Sequence, residues 1–145
     1  MTGSNDHYNL YRFVEAQEPD MSQVKEELRA GKKCTHWMWY VFPQVTGLGK
    51  SPAAERYAIN SRDEAEAYLA HDILGPRLRE CTEIVNRVEG RSAKDIFGHP
   101  DALKFRSSMT LFEAVSDNPL LFETALDQYY DNNRCKKTLQ FLSRE

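Results

Sequence analysis

The chain has 145 residues, enough for one domain with a real core and no need of a disulfide or metal. Its 22 acidic residues outnumber 19 basic ones, a net charge of -3, which lacks the basic excess of a general nucleic-acid binder. No apolar run approaches the roughly 20 residues that span a bilayer, and no apolar signal region opens the chain. The three cysteines, Cys34, Cys81 and Cys135, form no Cys-x-x-Cys pair. These features predict a soluble, reduced, cytoplasmic protein with no membrane or nucleic-acid partner, no cofactor and no metal.

In chain order, Tyr8 to Gln17 places Leu10, Phe13, Val14 and Gln17 at three-to-four spacing, an amphipathic helix that Pro19 ends. Asp20 caps a second helix to Leu28, with Gly31 as its stop. Lys32-Lys33 fall at that helix end, where cations offset the macrodipole. Thr35 precedes the block His36-Trp37-Met38-Trp39-Tyr40-Val41-Phe42-Pro43-Gln44, which holds both tryptophans. Aromatic packing this dense marks the centre of the fold. Trp37 to Phe42 reads either as a buried strand or as a buried helical turn, because periodicity does not separate the two.

Ser51-Pro52 is a helix start, a capping serine with proline at the first position, and Ala53 to Ile59 follows. Ser61 and Glu64 form a capping box ahead of a helix to Ala70. Gly75-Pro76 breaks and restarts the chain, after which Leu78, Cys81, Ile84, Val85 and Val88 share one face and Gly90 stops the helix. Ser92 to Asp95 is a weaker capping box before Ile96-Phe97-Gly98. Pro100 starts a helix through Ala114 or Val115, Asn118-Pro119 another through Tyr130, and a last one runs from Lys136 to Leu142. Arg134-Cys135-Lys136-Lys137 reads, like Lys32-Lys33, as a helix-end cluster ahead of a phosphate site. The sum predicts an all-α, mainly α, single domain over 1–145: seven to eight short helices around an aromatic core, with residues 1–7 flexible.

Several segments carry candidate chemistry. Gly49-Lys50-Ser51 matches the end of a phosphate-binding loop, but Gln44 stands where that loop has glycine and Pro52 removes a backbone donor. The plain reading is a glycine turn feeding a capped helix, whose free N–H groups still suit an anion. In the Pro100 helix, Lys104 and Ser108 share a face, as do Ser107 and Leu111, and Arg106 and Thr110. A lysine beside a serine is a nucleophile arrangement, though at helical spacing it is first a solvated face. Two serines and a threonine inside a helix point either to close backbone packing or to a polar wall on a cavity. His36 adjoins the aromatic block, while His71 and His99 stand at helix boundaries. Glu26-Glu27, Asp63-Glu64 and Asp127 with Asp131 fit exposed helix surface, and Asp101 reads as a dipole partner.

These motifs resemble the signature of domain-of-unknown-function family 1810, mainly bacterial proteins. The resemblance rests on His36 to Gln44 with Gly47-Leu48-Gly49 and Ser51, and on Tyr57-Ala58-Ile59, Ala67-Tyr68-Leu69 and Leu74 to Leu78. It extends to Ile96-Phe97-Gly98, Asp101, Leu103-Lys104 and Ser107 to Phe112, and to Phe13, Ala16-Gln17, Glu27 to Arg29 and Gly31-Lys32. The resemblance covers nearly the whole chain and implies a mainly α-helical single domain. Members often carry the label calpastatin, a protease inhibitor, which nothing in this chain supports. The family pattern has leucine more often than Phe105, fixes no arginine at Arg106 and does not demand Lys50.

Two functional expectations follow from the residues. The first is a site for a small anionic or phosphorylated, nucleotide-like ligand. It would be built from Trp39, Gln44, Ser51, Lys104, Ser107 and Ser108, with His36 as the candidate catalytic proton carrier. Lys104 would neutralise the anion, Trp39 would stack, and the serines and Gln44 would hydrogen-bond. The second is a protein–protein interaction module in which the aromatic block is plain core and the partner meets an exposed helix face; a third, structural reading keeps the motifs purely as packing and helix caps.

Overall fold

The computed structural model describes residues 6–144. Among them ten helices follow one another: α1 (Tyr11–Gln17), α2 (Met21–Arg29), α3 (Met38–Val41), α4 (Pro52–Arg56), α5 (Arg62–Ala70), α6 (Leu74–Asn86), α7 (Ala93–Phe97), α8 (Asp101–Val115), α9 (Leu120–Tyr130) and α10 (Lys136–Ser143). The all-α reading holds. The count exceeds seven to eight because α3 and α7, of four and five residues, are too short to carry a periodic signal. Residues 1–5 of the stretch expected to be flexible lie outside the described residues. Asp6 is fixed: its carboxylate accepts the N–H groups of Leu10 (2.6 Å) and Tyr11 (2.9 Å) at the entry to α1.

Local signals explain most boundaries. Gly31, at φ +72, ends α2 with paired bonds from Gly31 N to Leu28 O and from Lys32 N to Glu27 O. Ser51, Ser61 and Ser92 each cap their helices by accepting a backbone N–H three residues on. At α7 the box is reciprocal, Asp95 reaching back to Ser92 N. At α5 it is displaced by one residue, because Glu64 accepts from Asn60 N. Gly75-Pro76 does not break the chain; both lie in the first turn of α6, where a missing N–H costs nothing. Trp37 to Phe42 settles as a helical turn. Trp37, Met38, Val41 and Phe42 are buried, a helical spacing concealed within a wholly apolar run.

The core is organised by α8, which packs against α5, α7, α9 and α10. Its residues 107–112 are buried without interruption, so it is a central helix rather than an amphipathic one. Phe105 stacks on Phe97 (4.6 Å between centroids) and meets Phe42 edge-on (4.9 Å). Two turns on, Phe112 touches Tyr68 (5.3 Å), which meets Phe13 edge-on (5.1 Å). Ser108 is wholly buried within this helix. Between α3 and α5 a single parallel bridge joins Val45 to Ile59, with Ile59 N donating to Gln44 O and Thr46 N to Ile59 O, both at 2.9 Å. It closes the base of the glycine-bearing loop and holds Gln44 beside α8. No described helix is long and apolar enough to cross a membrane.

Candidate functional site

The start of α10 lies along α8, and the loop after α3 crosses the same end. An open groove of about 570 Å³ runs between them. Gln44 and Leu48 come from the loop, Leu103, Lys104, Arg106 and Ser107 from α8, and Asn133 to Lys137 from the α9–α10 connection and the first turn of α10.

The electrostatics of this lining are one-sided. Lys104, Arg106, Arg134, Lys136 and Lys137 all line it, and no carboxylate does. Arg134 is neutralised by a two-pronged pair to Glu113 (2.7 and 2.6 Å), which raises it above the ordinary arginine value. Lys104 shares Asp101 (3.4 Å) with Lys33, which is closer at 2.9 Å. Arg106 has no carboxylate partner; it stands 5.9 Å from the centre of the Tyr130 ring, and its Nε is buried without a hydrogen bond. Lys136 and Lys137 are exposed and form no ion pair among the described residues. The helix-end reading of this cluster fails on direction. Lys136 and Lys137 open α10 at its positive pole, where cations are unfavourable, so the macrodipole does not explain them. Lys32-Lys33 behave differently: Lys33 reaches Asp101 and lies 5.0 Å from the Trp37 ring.

Of the residues singled out from sequence, the fold brings Gln44, Lys104 and Ser107 into this groove. The Gln44 side-chain amide has no partner among the described residues. Ser107 Oγ has two acceptors in reach, Leu103 O (3.1 Å) and Cys135 Sγ (3.3 Å). Trp39 does not line the groove. Its ring lies beneath Lys104, with Nζ 5.3 Å from its centre, and borders a void of about 10 Å³ shared with Gln44 and Ala54. Trp39 therefore props the cation instead of stacking on a ligand. Ser108 is sealed in the core, its hydroxyl unpartnered. Ser51 is spent on the α4 cap, accepting from Ala54 N at 3.1 Å. His36 is exposed, and only its carbonyl is engaged, by the Tyr40 hydroxyl (3.3 Å). His71 satisfies a helix start, Nδ1 accepting from Ile73 N and Leu74 N.

Sequence reasoning missed Arg106 and the connection from Arg134 to Lys137 as one wall. The signal was present in the four-residue basic cluster but was assigned to a helix end. It also missed two buried carboxylates, Glu27 and Glu64, taken for surface. Glu64 pairs with Arg12 at 2.8 Å. Cys135 precedes α10, 8% exposed, in the groove wall. Burial raises its thiol, but the Ser107 and Thr138 hydroxyls and the N–H groups of Thr138 and Lys137 outweigh this and hold it below the ordinary value.

Fold and groove together define a small all-α domain with a cation-lined surface cleft. The chain belongs to the DUF1810 family, proteins of unknown function, whose family model matches residues 7–142. It is similar to the conserved hypothetical protein Rv1873 from Mycobacterium tuberculosis, solved as a crystal structure. The two share 55% identity over 93% of this chain and 96% of that one, with a TM-score of 0.92. No curated protein matches.

Proposed function

We propose that the groove between α8 and α10 binds a small anionic or phosphorylated ligand. The observation that carries this reading is the lining: five cations and no carboxylate in a chain whose net charge is -3, with Arg134 paired to Glu113, Lys104 to Asp101, and Arg106, Lys136 and Lys137 in no ion pair among the described residues. Such a concentration of positive charge costs folding energy through self-repulsion, which a bound anion relieves. Lys104, fixed over Trp39, and Arg106, with no carboxylate partner, supply the charge, while Gln44 offers a free amide. A volume of about 570 Å³ suits a ligand the size of a nucleotide. His36 does not line this groove, so no proton-transfer role is assigned to it.

The alternative, a protein-binding module, draws support from another place. A more apolar cleft of about 640 Å³ lies between α1 and the α5–α6 corner, walled by the exposed Tyr11 and Ile73. Thermal unfolding against inorganic phosphate, nucleotides and dinucleotides separates the two. A ligand at a hundred times its dissociation constant adds about 2.7 kcal/mol, several degrees for this size. Stabilisation that disappears in Lys104→Ala and Gln44→Ala supports the anion site. A flat response across the panel overturns it in favour of the protein-partner reading.

A further inference from the structure

The anion groove contains one cysteine, and its surroundings favour its charged form. Cys135 stands directly before α10, with its sulfur 3.3 Å from Ser107 Oγ and Lys136 and Lys137 next along the chain. Its backbone N–H is fixed by Thr110 Oγ1 at 3.0 Å, so the side chain is anchored to α8. A second observation concerns Thr138. This residue is wholly buried in the first turn of α10, three residues on from Cys135 at its cap, and its hydroxyl forms no hydrogen bond. A buried hydroxyl without an acceptor is costly, and a neutral thiol is a poor acceptor. A thiolate supplies that acceptor, receiving Thr138 Oγ1 and drawing the single Ser107 proton away from Leu103 O. The nearby charges agree. Arg106 faces the groove from α8, and the two carboxylates paired with the groove's cations are both engaged, Glu113 by Arg134 and Asp101 by Lys33 and Lys104.

We propose that Cys135 is a thiol-modification site, forming a mixed disulfide with a net-negative low-molecular-weight disulfide that the groove cations hold; this rests on the anion-binding reading above. Cys135 gives its proton to solvent, and its sulfur attacks one sulfur of the incoming disulfide. One S–S bond forms as the other breaks, and the departing thiolate takes a proton from solvent. The incoming disulfide is the oxidant, and nothing else is consumed.

The chain carries its own references. Cys34 is exposed, and Cys81 is wholly buried, with its thiol pushed up to about 12 by that burial. The wild-type protein is incubated near neutral pH with glutathione disulfide, which is net negative, or cystamine, which is net positive. Adducts are assigned to each cysteine by peptide mass spectrometry. Cys135 is expected to react with glutathione disulfide faster than Cys34, despite its lower exposure. Its preference for glutathione disulfide over cystamine should exceed that of Cys34 by roughly tenfold, the lower end of charge steering. Inorganic phosphate should slow Cys135 and not Cys34, and Ser107→Ala should move the pH profile of the Cys135 reaction upward. Cys135 slower than Cys34 toward both disulfides overturns the proposal at the thiol, leaving the phosphate-stabilisation experiment to judge the groove. Cys135 fast but indifferent to charge overturns it at the groove.

Discussion

Trp37 Nε1 donates to Glu27 Oε1 at 2.9 Å, tying the first tryptophan of the aromatic block to a carboxylate in the last turn of α2. The same carboxylate accepts Cys34 N (2.7 Å), Thr35 N (3.1 Å), Thr35 Oγ1 (2.7 Å) and Gln23 Nε2 (2.9 Å). Glu27 is thus the anchor of the whole connection from α2 to α3.

Burial alone would raise the Glu27 carboxyl. The hydrogen bonds from Thr35, Cys34, Gln23 and Trp37 outweigh it and lower the group from 4.5 to about 2. A lowered value means stability that is fully present above the unfolded value and is lost as the pH falls toward the folded one. The difference corresponds to about 3 kcal/mol, which should disappear between pH 4.5 and about 2. Glu27→Gln should lose a similar amount at neutral pH and flatten this acid limb. Urea denaturation at neutral and acid pH checks both.

Arg12 is the second buried anchor. It pairs with Glu64 at 2.8 Å and also donates to the carbonyls of Tyr8, Asn9, Arg56 and Ala58, joining α1 to the α4–α5 connection. Arg12→Ala leaves Glu64 buried without its cation and should cost about 3–5 kcal/mol. Arg12→Lys should recover little, since one ammonium cannot reach carbonyls on both sides. Chemical denaturation of the two variants side by side tests this.

Gly75 is required by contact rather than by conformation. A Cβ there would collide with the Leu69 carbonyl, where α5 turns into α6. Gly75→Ala should cost about 3 kcal/mol, the upper end of overpacking penalties. Gly90→Ala, at φ +72 with open space around it, should cost about 1 kcal/mol from backbone strain alone. The order of the two melting temperatures is the measurement.

Lys136 and Lys137 are exposed and form no ion pair among the described residues, so their charge serves no contact there. Reversing both, Lys136→Glu with Lys137→Glu, should leave the unliganded melting temperature unchanged or slightly raised, because α10 prefers anions in its first turn. The same change should abolish stabilisation by phosphate and reverse its salt dependence. Thermal unfolding with and without phosphate reads both effects.

The helices that could be read from sequence were those with punctuation: Gly31, Ser51-Pro52, Ser61, Ser92 and Asn118-Pro119 all mark real boundaries within a residue or two. Those that could not were short or uniformly apolar, such as α3, where every residue is hydrophobic and no polar face betrays the period. Glu27 and Glu64 were misread because a carboxylate at helical spacing looks solvated until its partners are known. Glu27's partners outside its own helix lie seven to ten residues away, and Glu64's partner Arg12 lies 52 away. The groove was half legible. Gln44, Lys104 and Ser107 were singled out because they flank distinctive motifs. Arg106 and the Arg134–Lys137 wall were not, because only the docking of α10 on α8 brings those charges to one place.

The two hydrogen bonds at Val45 and Ile59 pinch the chain into a lobe spanning 46–58, with its neck clamped on the core side. Gly47 sits on that lobe with nothing near it. Extra chain spliced in at this point would hang outward from the neck, since lengthening a loop already closed adds little entropy. Gln44 accepts one of the two clamp hydrogen bonds through its own carbonyl, so it would keep its place. Leu48, next to Gly47, lines the groove, so the lobe is a port through which a fluorophore, an affinity tag or a whole second module can be attached at the groove's rim.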